Sequence, residues 1–410
     1  MIKLLHFADA HIDMANYGRH DPVSGLPLRV LDFLKSLDII VDAAIREKVD
    51  LVIFAGDAYK DRSPAPTFQR EWGRRIMRLS QAGIHTLLLI GNHDLSPSIG
   101  RANSLQEFDT LNVPGVQVIA KPCFLGPDNL DGLPLQVIAL PWIYRSGLLA
   151  STGISPGDTQ RVDEAIEERV IQLVDGWLEQ ADPSLPTIMT AHASVQGAVY
   201  GNERSLAIGG DMVLSGSLVK DPRLDYVALG HIHKPQNLNE GRQPPVIYPG
   251  SIERVDFGEV SDDKFYIIAQ VSHGHTDVTW CKLDQIRPFI DLFITLESDQ
   301  SVTETLLAAL MPAEQLADAI VRLTITYPRQ WDSLIDEATL REAAAGAFEF
   351  HLVKHPQVDL RTRLAEGQLV SNMSTLELLD IYWKTRDEDP QESAALQKLA
   401  EEIITGAAEA

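Results

Sequence analysis

Short apolar runs alternate with amphipathic stretches through the first two thirds of the chain. The runs have the length and β-branched content of buried strands, and they cover residues 2–8, 50–56, 85–91, 135–143, 186–194 and 226–233. Between several of them, apolar residues recur at helical spacing over residues 28–48, 67–82 and 159–181. Buried strands that alternate with amphipathic helices are typical of an α/β protein, so we predict a sheet core flanked by helices.

The pattern changes toward the C-terminus. The runs PPVIYPG, KFYIIAQV and DVTWCKL are separated by turns without a helix, which predicts a hairpin-rich second sheet. Around a helix that begins TETLLAALM, the runs FIDLFITL and AIVRLTITY indicate a small α+β unit. Two amphipathic helices follow, and the first opens with a capping box of Ser374 and Glu377. We therefore predict domains of residues 1–286, 287–355 and 356–410.

Composition narrows the class of protein. The 410 residues are 45% hydrophobic and 23% charged, as in an ordinary globular protein with room for more than one domain. No apolar run approaches the roughly 20 residues that span a bilayer, and the N-terminal apolar stretch reaches Asp9 too soon for a secretory signal. The two cysteines, Cys123 and Cys281, are too few and too distant for a disulfide framework. We expect a cytoplasmic protein without a membrane partner.

The net charge of −23 argues against a broadly basic surface for nucleic acid. A nucleic-acid partner then requires positive charge from bound metal ions, from a local arginine stripe or from a partner protein.

Polar residues of the types that bind metal ions follow five of the predicted strands. Because the ligand site of an open α/β sheet lies beyond the carboxyl ends of its strands, we expect these residues to converge. His231 and His233 also share one side, since strand side chains alternate between faces. The residues are Asp9, His11, Asp57, Asn92, His93, Asp94, His192, His231 and His233.

The donor types indicate a dinuclear site. Oxygen and imidazole donors without thiolate favour Mn²⁺, Mg²⁺ or Fe²⁺ over a structural zinc ion. Two ions about 3.5 to 4 Å apart, sharing a carboxylate, can activate water for in-line displacement at a phosphate. Asp57 is the expected shared carboxylate. Each motif alone is weak, because a single H-x-H or GD is often only a polar strand end; the ordered set of five supports the prediction.

The ordered set DAH, GD, GNHD, the AH at His192 and GHIH resembles the signature of the calcineurin-like metallophosphoesterases. More narrowly, YVALGHIHKPQ, YPGSIER and the order of the segments resemble the meiotic recombination eleven nuclease family. The likeness extends over essentially the whole chain and is least distinctive beyond residue 260. It implies an α/β fold with a sandwich of two β-sheets flanked by helices, a small α+β capping domain, and a C-terminal helical tail that binds an ATPase with a long coiled coil.

The resemblance also implies roles for individual residues. One metal ion would be bound by Asp9, His11, Asp57 and His233, and a second by Asp57, Asn92, His192 and His231. His93 would be the catalytic histidine, acting on the scissile phosphate or the leaving group. The implied activities are manganese-dependent exonuclease action on double-stranded DNA and endonuclease action, including on hairpins. The resemblance further implies a homodimer that acts in DNA repair at the nucleoid.

One position departs from the pattern of that family. Three residues after Asp57, where relatives often carry a histidine or aspartate near the catalytic histidine, this chain has Lys60. The orientation of His93 then depends on another group. We weigh Asp61 or Asp94 as that group, and a direct contact of Lys60 with phosphate.

Several alternatives stay open at this point. Arg70, Arg74 and Arg78 form one helical stripe that either binds DNA backbone or is a solvated face. The tail helices either bind a partner or pack on their own domain. For the whole chain, the alternatives to a DNA nuclease are a phosphatase or phosphodiesterase that acts on small phosphoesters, and a non-catalytic scaffold.

Overall fold

The structure is a computed structural model, and it describes residues 1–16, 19–96, 101–143, 159–201, 213–357, 374–385, 396–401 and 403. The chain divides into two compact units. The first comprises Met1–Asp291, Glu314–Val321 and Gly346–Glu349. The second comprises Leu292–Ala313, Arg322–Ala345 and Phe350–Ala410. No helix in the described ranges is both long enough and apolar enough to cross a membrane.

The predicted strands and helices occur in the predicted order, and the structure adds short elements, such as Gln106–Thr110 and Val116–Ile119, that the hydrophobic pattern does not predict. The described strands are β1 (Ile2–Phe7), β2 (Leu51–Phe54), β3 (His85–Leu89), β4 (Val116–Ile119), β5 (Cys123–Leu125), β6 (Gln136–Leu140), β7 (Thr187–His192), β8 (Ser194–Val195), β9 (Val213–Leu214), β10 (Tyr226–Gly230), β11 (Gln236–Asn237), β12 (Val246–Tyr248), β13 (Phe265–Ser272), β14 (His275–Lys282), β15 (Phe289–Thr295), β16 (Ile320–Pro328) and β17 (Glu349–Gln357). The described α-helices are α1 (Leu28–Glu47), α2 (Pro66–Gln81), α3 (Gln106–Thr110), α4 (Thr159–Gln180), α5 (Gly216–Val219), α6 (Val302–Ala309), α7 (Ala313–Leu316), α8 (Glu337–Ala343) and α9 (Thr375–Thr385).

Two sheets of the first unit carry the fold, and each has six strands within the described residues. The first has the order β14-β13-β1-β2-β3-β4, and the second has the order β11-β12-β10-β7-β6-β5. Strands β1 to β4 are parallel, as are β6, β7, β10 and β12. The parallel strands of each sheet therefore end at a common edge.

The alternation of side chains along each strand divides the core into layers. In β2, Val52 and Phe54 pack with Phe33 of α1 and Trp72 of α2. The alternate residues of β2, Leu51 and Ile53, belong to the cluster between the two sheets, together with Ile188 and Tyr226. The outer face of the second sheet packs on α4. The predicted sandwich of two sheets flanked by helices is confirmed.

One expectation about strand pairing is wrong. KFYIIAQV and DVTWCKL form the hairpin β13–β14, but β13 pairs antiparallel with β1 and so extends the first sheet. Of the three runs, only PPVIYPG contributes a strand, β12, to the second sheet. The local sequence pattern predicts a hairpin but does not determine which strand the hairpin pairs with. That pairing depends on the burial of Ile267, Ala269 and Val271.

The second unit contains most of a three-stranded sheet in the order β15-β16-β17, together with α6 and α8, as predicted for an α+β unit. In the tail, α9 opens with the predicted capping box: Ser374 N–H donates to Glu377 Oε2 at 2.7 Å, and Glu377 N–H donates to Ser374 Oγ at 3.3 Å. Residues 396–401 are helical. The rest of the predicted tail is partly outside the described residues, so the domain boundaries stay a prediction.

Candidate functional site

The polar residues predicted from the strand ends gather at one rim of the sandwich. The loops after β1 and β2 are joined by backbone hydrogen bonds, with Asp9 N–H donating to the Gly56 carbonyl at 2.9 Å and Ala10 N–H to the Asp57 carbonyl at 2.8 Å. Across the two sheets, the His231 N–H lies 3.0 Å from Asp9 Oδ2. The carboxyl ends of parallel strands from both sheets thus lie together at this rim.

Four of the predicted ligands have a left-handed backbone. The φ angles are 50° at Asp9, 39° at His11, 66° at Asp57 and 98° at His231. Such conformations are uncommon for residues other than glycine and cost on the order of 1 to 3 kcal/mol each. The surrounding contacts therefore hold these side chains in place against the preference of their own backbone.

The seven predicted metal ligands lie close together. Asp9, His11 and His233 form one group whose donor atoms all lie within 4.8 Å of one another, and Asp9, Asp57 and His192 form a second. Asn92 Oδ1 lies 3.0 Å from His192 Nε2 and 3.1 Å from His231 Nδ1. The side chains of Asp9, His11, Asp57, His192 and His233 are buried.

The carboxylate that the two groups share differs from the one predicted. Asp9 belongs to both groups, whereas we expected Asp57 to be shared. Asp57 Oδ2 nevertheless lies 3.9 Å from His11 Nε2 and 3.4 Å from His192 Nε2. Both carboxylates are therefore close to both groups.

The hydrogen bonds of His11 and His233 show that a cation fits between them. His11 Nδ1 lies 3.2 Å from the Tyr59 carbonyl oxygen, and His233 Nδ1 lies 2.8 Å from Glu259 Oε1. Each acceptor assigns the ring proton to Nδ1, which leaves a lone pair on each Nε2. These two Nε2 atoms are 3.1 Å apart, and burial lowers the pKa of His11 well below its usual range. Two facing lone pairs are the arrangement of metal-binding imidazoles.

His192 presents the same arrangement. Its Nδ1 lies 2.7 Å from the Ala55 carbonyl oxygen, so its Nε2 faces Asn92 Oδ1 and Asp57 Oδ2. Burial alone lowers the pKa of His192, but the charge and hydrogen bond of Asp57, the charge of Asp9 and the hydrogen bond with the Ala55 carbonyl together raise the pKa to about 9. A positive charge at Nε2, whether a proton or a metal ion, satisfies both oxygen acceptors. The donor sets of both groups fit divalent ions.

The family model for calcineurin-like phosphoesterases matches residues 2–235, more than half of the chain. The chain belongs to this family. The match includes all seven predicted metal ligands of this phosphoesterase and His93.

Three relatives have similar sequences. The SbcD component of the nuclease SbcCD of Escherichia coli (strain K12) is 27% identical over 279 residues, which cover 67% of this chain and 66% of that protein. The DNA double-strand break repair protein Mre11 of Archaeoglobus fulgidus is 28% identical over 261 residues, 63% of this chain and 52% of that protein. The SbcD component of the nuclease SbcCD of Rhodobacter capsulatus is 25% identical over 371 residues, 80% of this chain and 88% of that protein. The match thus spans slightly less than two thirds of the E. coli relative and about half of the archaeal one.

His93 of this phosphoesterase lies beside both groups and belongs to neither. Its backbone N–H donates to Asp57 Oδ1 at 2.9 Å, and its ring centroid is 5.3 Å from that of His11. Its Nδ1 lies 2.8 Å from the Lys60 carbonyl oxygen. The backbone carbonyl of Lys60 therefore orients the ring.

The two acidic residues considered for that role make other contacts. Asp94 is buried and accepts the backbone N–H groups of Asp57, Ala58 and Gly91 at 2.8 to 2.9 Å. Burial raises the pKa of Asp94 to about 7. Asp61 is exposed and accepts the Ser63 N–H. Asp94 thus holds the loops after β2 and β3 together, and the expectation that Asp61 or Asp94 orients His93 is wrong.

A groove of about 620 Å³ opens beside His93. It contains two basic side chains, Lys60 and Arg62, and two acidic ones, Asp13 and Asp61. Its lining residues are Asp13, Met14, Ala15, Asn16, Lys60, Asp61, Arg62, Ser63 and His93. His93 is thus accessible from this groove.

The arginine stripe of α2 is bound to acidic neighbours. Arg70 and Arg74 contact Glu71 Oε1 at 2.9 and 3.0 Å. Arg78 pairs with Asp38 at 3.0 Å and with Asp42. Much of the positive charge of these three residues is therefore compensated within the chain, which weakens their candidacy as DNA contacts.

The groups that orient the ligands are not among the residues predicted from the sequence. Glu259 binds His233 Nδ1 and also accepts from Lys264 Nζ at 2.5 Å and from Ser251 Oγ at 3.1 Å. The Trp142 ring centroid is 5.0 Å from that of His231 and 6.1 Å from that of His192. Neither residue lies in a metal-like motif, so only the fold identifies it.

Position 230, in the GHIH motif, requires glycine because the backbone of Ala55 lies close to it. A Cβ atom at this position would overlap the Ala55 carbonyl, which is the acceptor for His192 Nδ1. We expect Gly230→Ala to lower the free energy of unfolding by about 1 to 3 kcal/mol, because the strand ends must separate. Urea denaturation measures this change.

Gly73 provides the matched control. It lies inside α2 and a Cβ atom there meets nothing within 4 Å, so Gly73→Ala should raise stability by about 0.5 to 1 kcal/mol. A Gly230→Ala protein as stable as wild type would contradict the packing described here.

Proposed function

We propose that this chain is a metal-dependent DNA nuclease that hydrolyses phosphodiester bonds. The observation that carries the proposal is the convergence of imidazole Nε2 atoms and carboxylates in a chain of the phosphoesterase family. The names of the similar bacterial and archaeal proteins, a nuclease component and a DNA break-repair protein, supply the substrate class. The activities that we propose are exonuclease action on double-stranded DNA and endonuclease action on single strands and hairpins.

The proposed ligands divide between two divalent ions. Asp9, His11, Asp57 and His233 would hold one ion, and Asp57, Asn92, His192 and His231 would hold the other. Mn²⁺ is the ion that we propose, with Mg²⁺ and Fe²⁺ as ions of the same donor preference. Bound ions would supply Lewis acidity toward the phosphodiester and would activate water.

His93 would act next to these ions. Since its Nδ1 is held by the Lys60 carbonyl, Nε2 is the ring nitrogen that would meet the scissile phosphate or the leaving oxygen. The Lys60 and Arg62 side chains would offset part of the charge of a DNA strand in the groove. These two side chains share the groove with Asp13 and Asp61, so bound ions or a partner protein would supply most of the positive charge for DNA.

Partner proteins would supply positive charge for DNA binding, which this acidic chain lacks. We propose that residues 356–410 bind an SbcC-type coiled-coil ATPase, that residues 1–286 form the nuclease domain and that residues 287–355 form the capping domain. We further propose a homodimer that acts in DNA repair in the cytoplasm, at the nucleoid. Co-purification of a large coiled-coil ATPase would support this, because an enzyme of small phosphoesters needs no such partner.

The test compares substrates on the full chain. Metal-stripped protein is reloaded with Mn²⁺ or Mg²⁺, with and without its ATPase partner, and is incubated with labelled linear duplexes, DNA hairpins and small phosphoesters. We expect Mn²⁺-dependent cleavage of DNA. Faster turnover of nucleotides than of DNA would instead favour a phosphatase or phosphodiesterase, and a metal content near zero without hydrolysis would favour a scaffold.

Glu259 offers a prediction about metal affinity. Glu259→Gln removes the charge that binds both His233 Nδ1 and the buried Lys264. We expect metal affinity to fall roughly 10- to 100-fold and stability to fall by about 3 to 5 kcal/mol, because the lysine charge loses its partner. Calorimetric metal titration and urea denaturation measure the two effects.

A second substitution separates these effects. Adding Lys264→Met to Glu259→Gln removes both charges, so most of the stability should return while the metal affinity stays low. Recovery of both properties together would mean that Glu259 affects the metal only through stability.

A further inference from the structure

Asp13 holds the loop that faces His93. It lies two residues after His11, and its side chain is buried. Its Oδ1 accepts the Lys60 N–H at 2.5 Å, and its Oδ2 accepts the Asp61 N–H at 2.9 Å. Both oxygens of the carboxylate thus bind consecutive backbone N–H groups of one loop.

The peptide between Lys60 and Asp61 links this carboxylate to His93. The N–H and the C=O of a trans peptide lie in one plane and point in opposite directions. Asp13 binds the N–H edge of this peptide, and the C=O edge lies 2.8 Å from His93 Nδ1. Fixing the N–H edge therefore fixes the direction of the carbonyl, and a carboxylate on the N–H side also strengthens the carbonyl as an acceptor.

The residue type at position 60 makes this backbone contact necessary. A lysine side chain donates hydrogen bonds and accepts none, so it cannot bind the N–H at Nδ1 of His93. The carbonyl of the same residue takes that place, and the Lys60 side chain remains at the groove.

We propose that Asp13 is a positioning residue for His93 and acts through the Lys60–Asp61 peptide. The inference rests on the proposed role of His93 in phosphodiester hydrolysis. Asp13 belongs to neither ligand group, and although it lines the groove, both of its oxygens are bound by backbone N–H groups, so its effect on catalysis passes through the ring orientation of His93.

A competing route runs through the metal ligands. The loop that Asp13 holds also provides the Tyr59 carbonyl, which lies 3.2 Å from His11 Nδ1. Loss of Asp13 could release His11 instead of His93, and this would appear as loss of bound metal. Metal content therefore distinguishes the two routes.

The experiment is a double-mutant cycle on the full chain loaded with Mn²⁺, with one duplex DNA substrate. We expect Asp13→Ala to lower kcat roughly 10- to 100-fold with KM and bound metal unchanged. Asp13→Asn keeps one oxygen acceptor and should have a smaller effect. In the His93→Ala background, Asp13→Ala should change kcat by no more than about 2-fold, because residues that act through one another are not additive.

Asp225→Ala is the matched control. Asp225 is also buried and accepts two backbone N–H groups, those of Thr187 at 2.7 Å and Gly274 at 2.5 Å. Removing Asp225 costs the stability that a buried carboxylate of this kind provides, but Asp225 makes no contact with His93. We expect the folded Asp225→Ala protein to keep the wild-type kcat.

A spectroscopic measurement makes the inference independent of activity. In protein with ¹⁵N-labelled histidine, the Mg²⁺-loaded wild type should show the Nδ1–H form of His93, and Asp13→Ala should lose that signature. Wild-type kcat in both Asp13 variants, an equal loss with and without His93, or loss of metal would each overturn the inference. Absence of DNA cleavage by wild type with the His93 signature intact would overturn the proposed function alone.

Discussion

Asp57→Ala is expected to reduce DNA hydrolysis by about 10³-fold or more and to prevent the binding of a full pair of metal ions. The Asp57 carboxylate lies close to both ligand groups, with Oδ2 3.9 Å from His11 Nε2 and 3.4 Å from His192 Nε2. Removing it takes negative charge from the place where two cations would be closest. Steady-state kcat and metal content by mass spectrometry measure the two losses.

Asp57→Asn separates charge from shape. The amide keeps an oxygen for the His93 N–H, which Asp57 Oδ1 now accepts at 2.9 Å, but it lacks the negative charge. If charge is decisive, the asparagine variant should lose nearly as much activity and metal as the alanine variant.

Asp50→Ala is the control for the same strand. Asp50 precedes β2 at the end opposite Asp57, and its carboxylate accepts the Lys3 N–H at 2.8 Å. This variant should keep activity and metal content. An Asp57→Ala protein that retains two ions and near wild-type kcat would contradict the dinuclear site.

The layers of the fold follow from periodicity that is visible in the sequence. Leu51 and Ile53 face one way and Val52 and Phe54 the other, and all four are buried. A strand that is apolar on both faces requires cover on both faces, which an inter-sheet core and a helix layer provide. Pairing between distant segments leaves no comparable local signal, and this is why the sequence pattern places the hairpin β13–β14 in the wrong sheet.

The candidate site is predictable where its chemistry lies in side chains that follow parallel strands. Because the strands that carry them are neighbours, the strand-end rule brings the predicted carboxylates and imidazoles together. The orienting groups are not predictable in this way, because several are backbone carbonyls. The carbonyls of Ala55, Tyr59 and Lys60 bind Nδ1 of His192, His11 and His93, and any residue type can supply a carbonyl.

His93→Ala is expected to lower kcat by roughly 10²- to 10⁴-fold while both metal ions stay bound. His93 is outside both ligand groups, and its Nδ1 is engaged by the Lys60 carbonyl. Its loss should therefore remove proton transfer or phosphate contact without removing a metal ligand. The measurement pairs kcat on duplex DNA with metal content, and it should separate this variant from Asp57→Ala, which loses both.

His85→Ala is the control for His93→Ala. His85 begins β3 at the end opposite His93, and its Nδ1 lies 2.9 Å from Asp131 Oδ2. His85 is also a histidine and belongs to the same strand, but it lies at the end of β3 away from the candidate site. Its removal should therefore leave kcat and metal content near wild type. If His93→Ala instead lost metal to the same extent as Asp57→Ala, His93 would be a metal ligand. The assignment of His93 as a residue that acts on the substrate without binding metal would then be wrong.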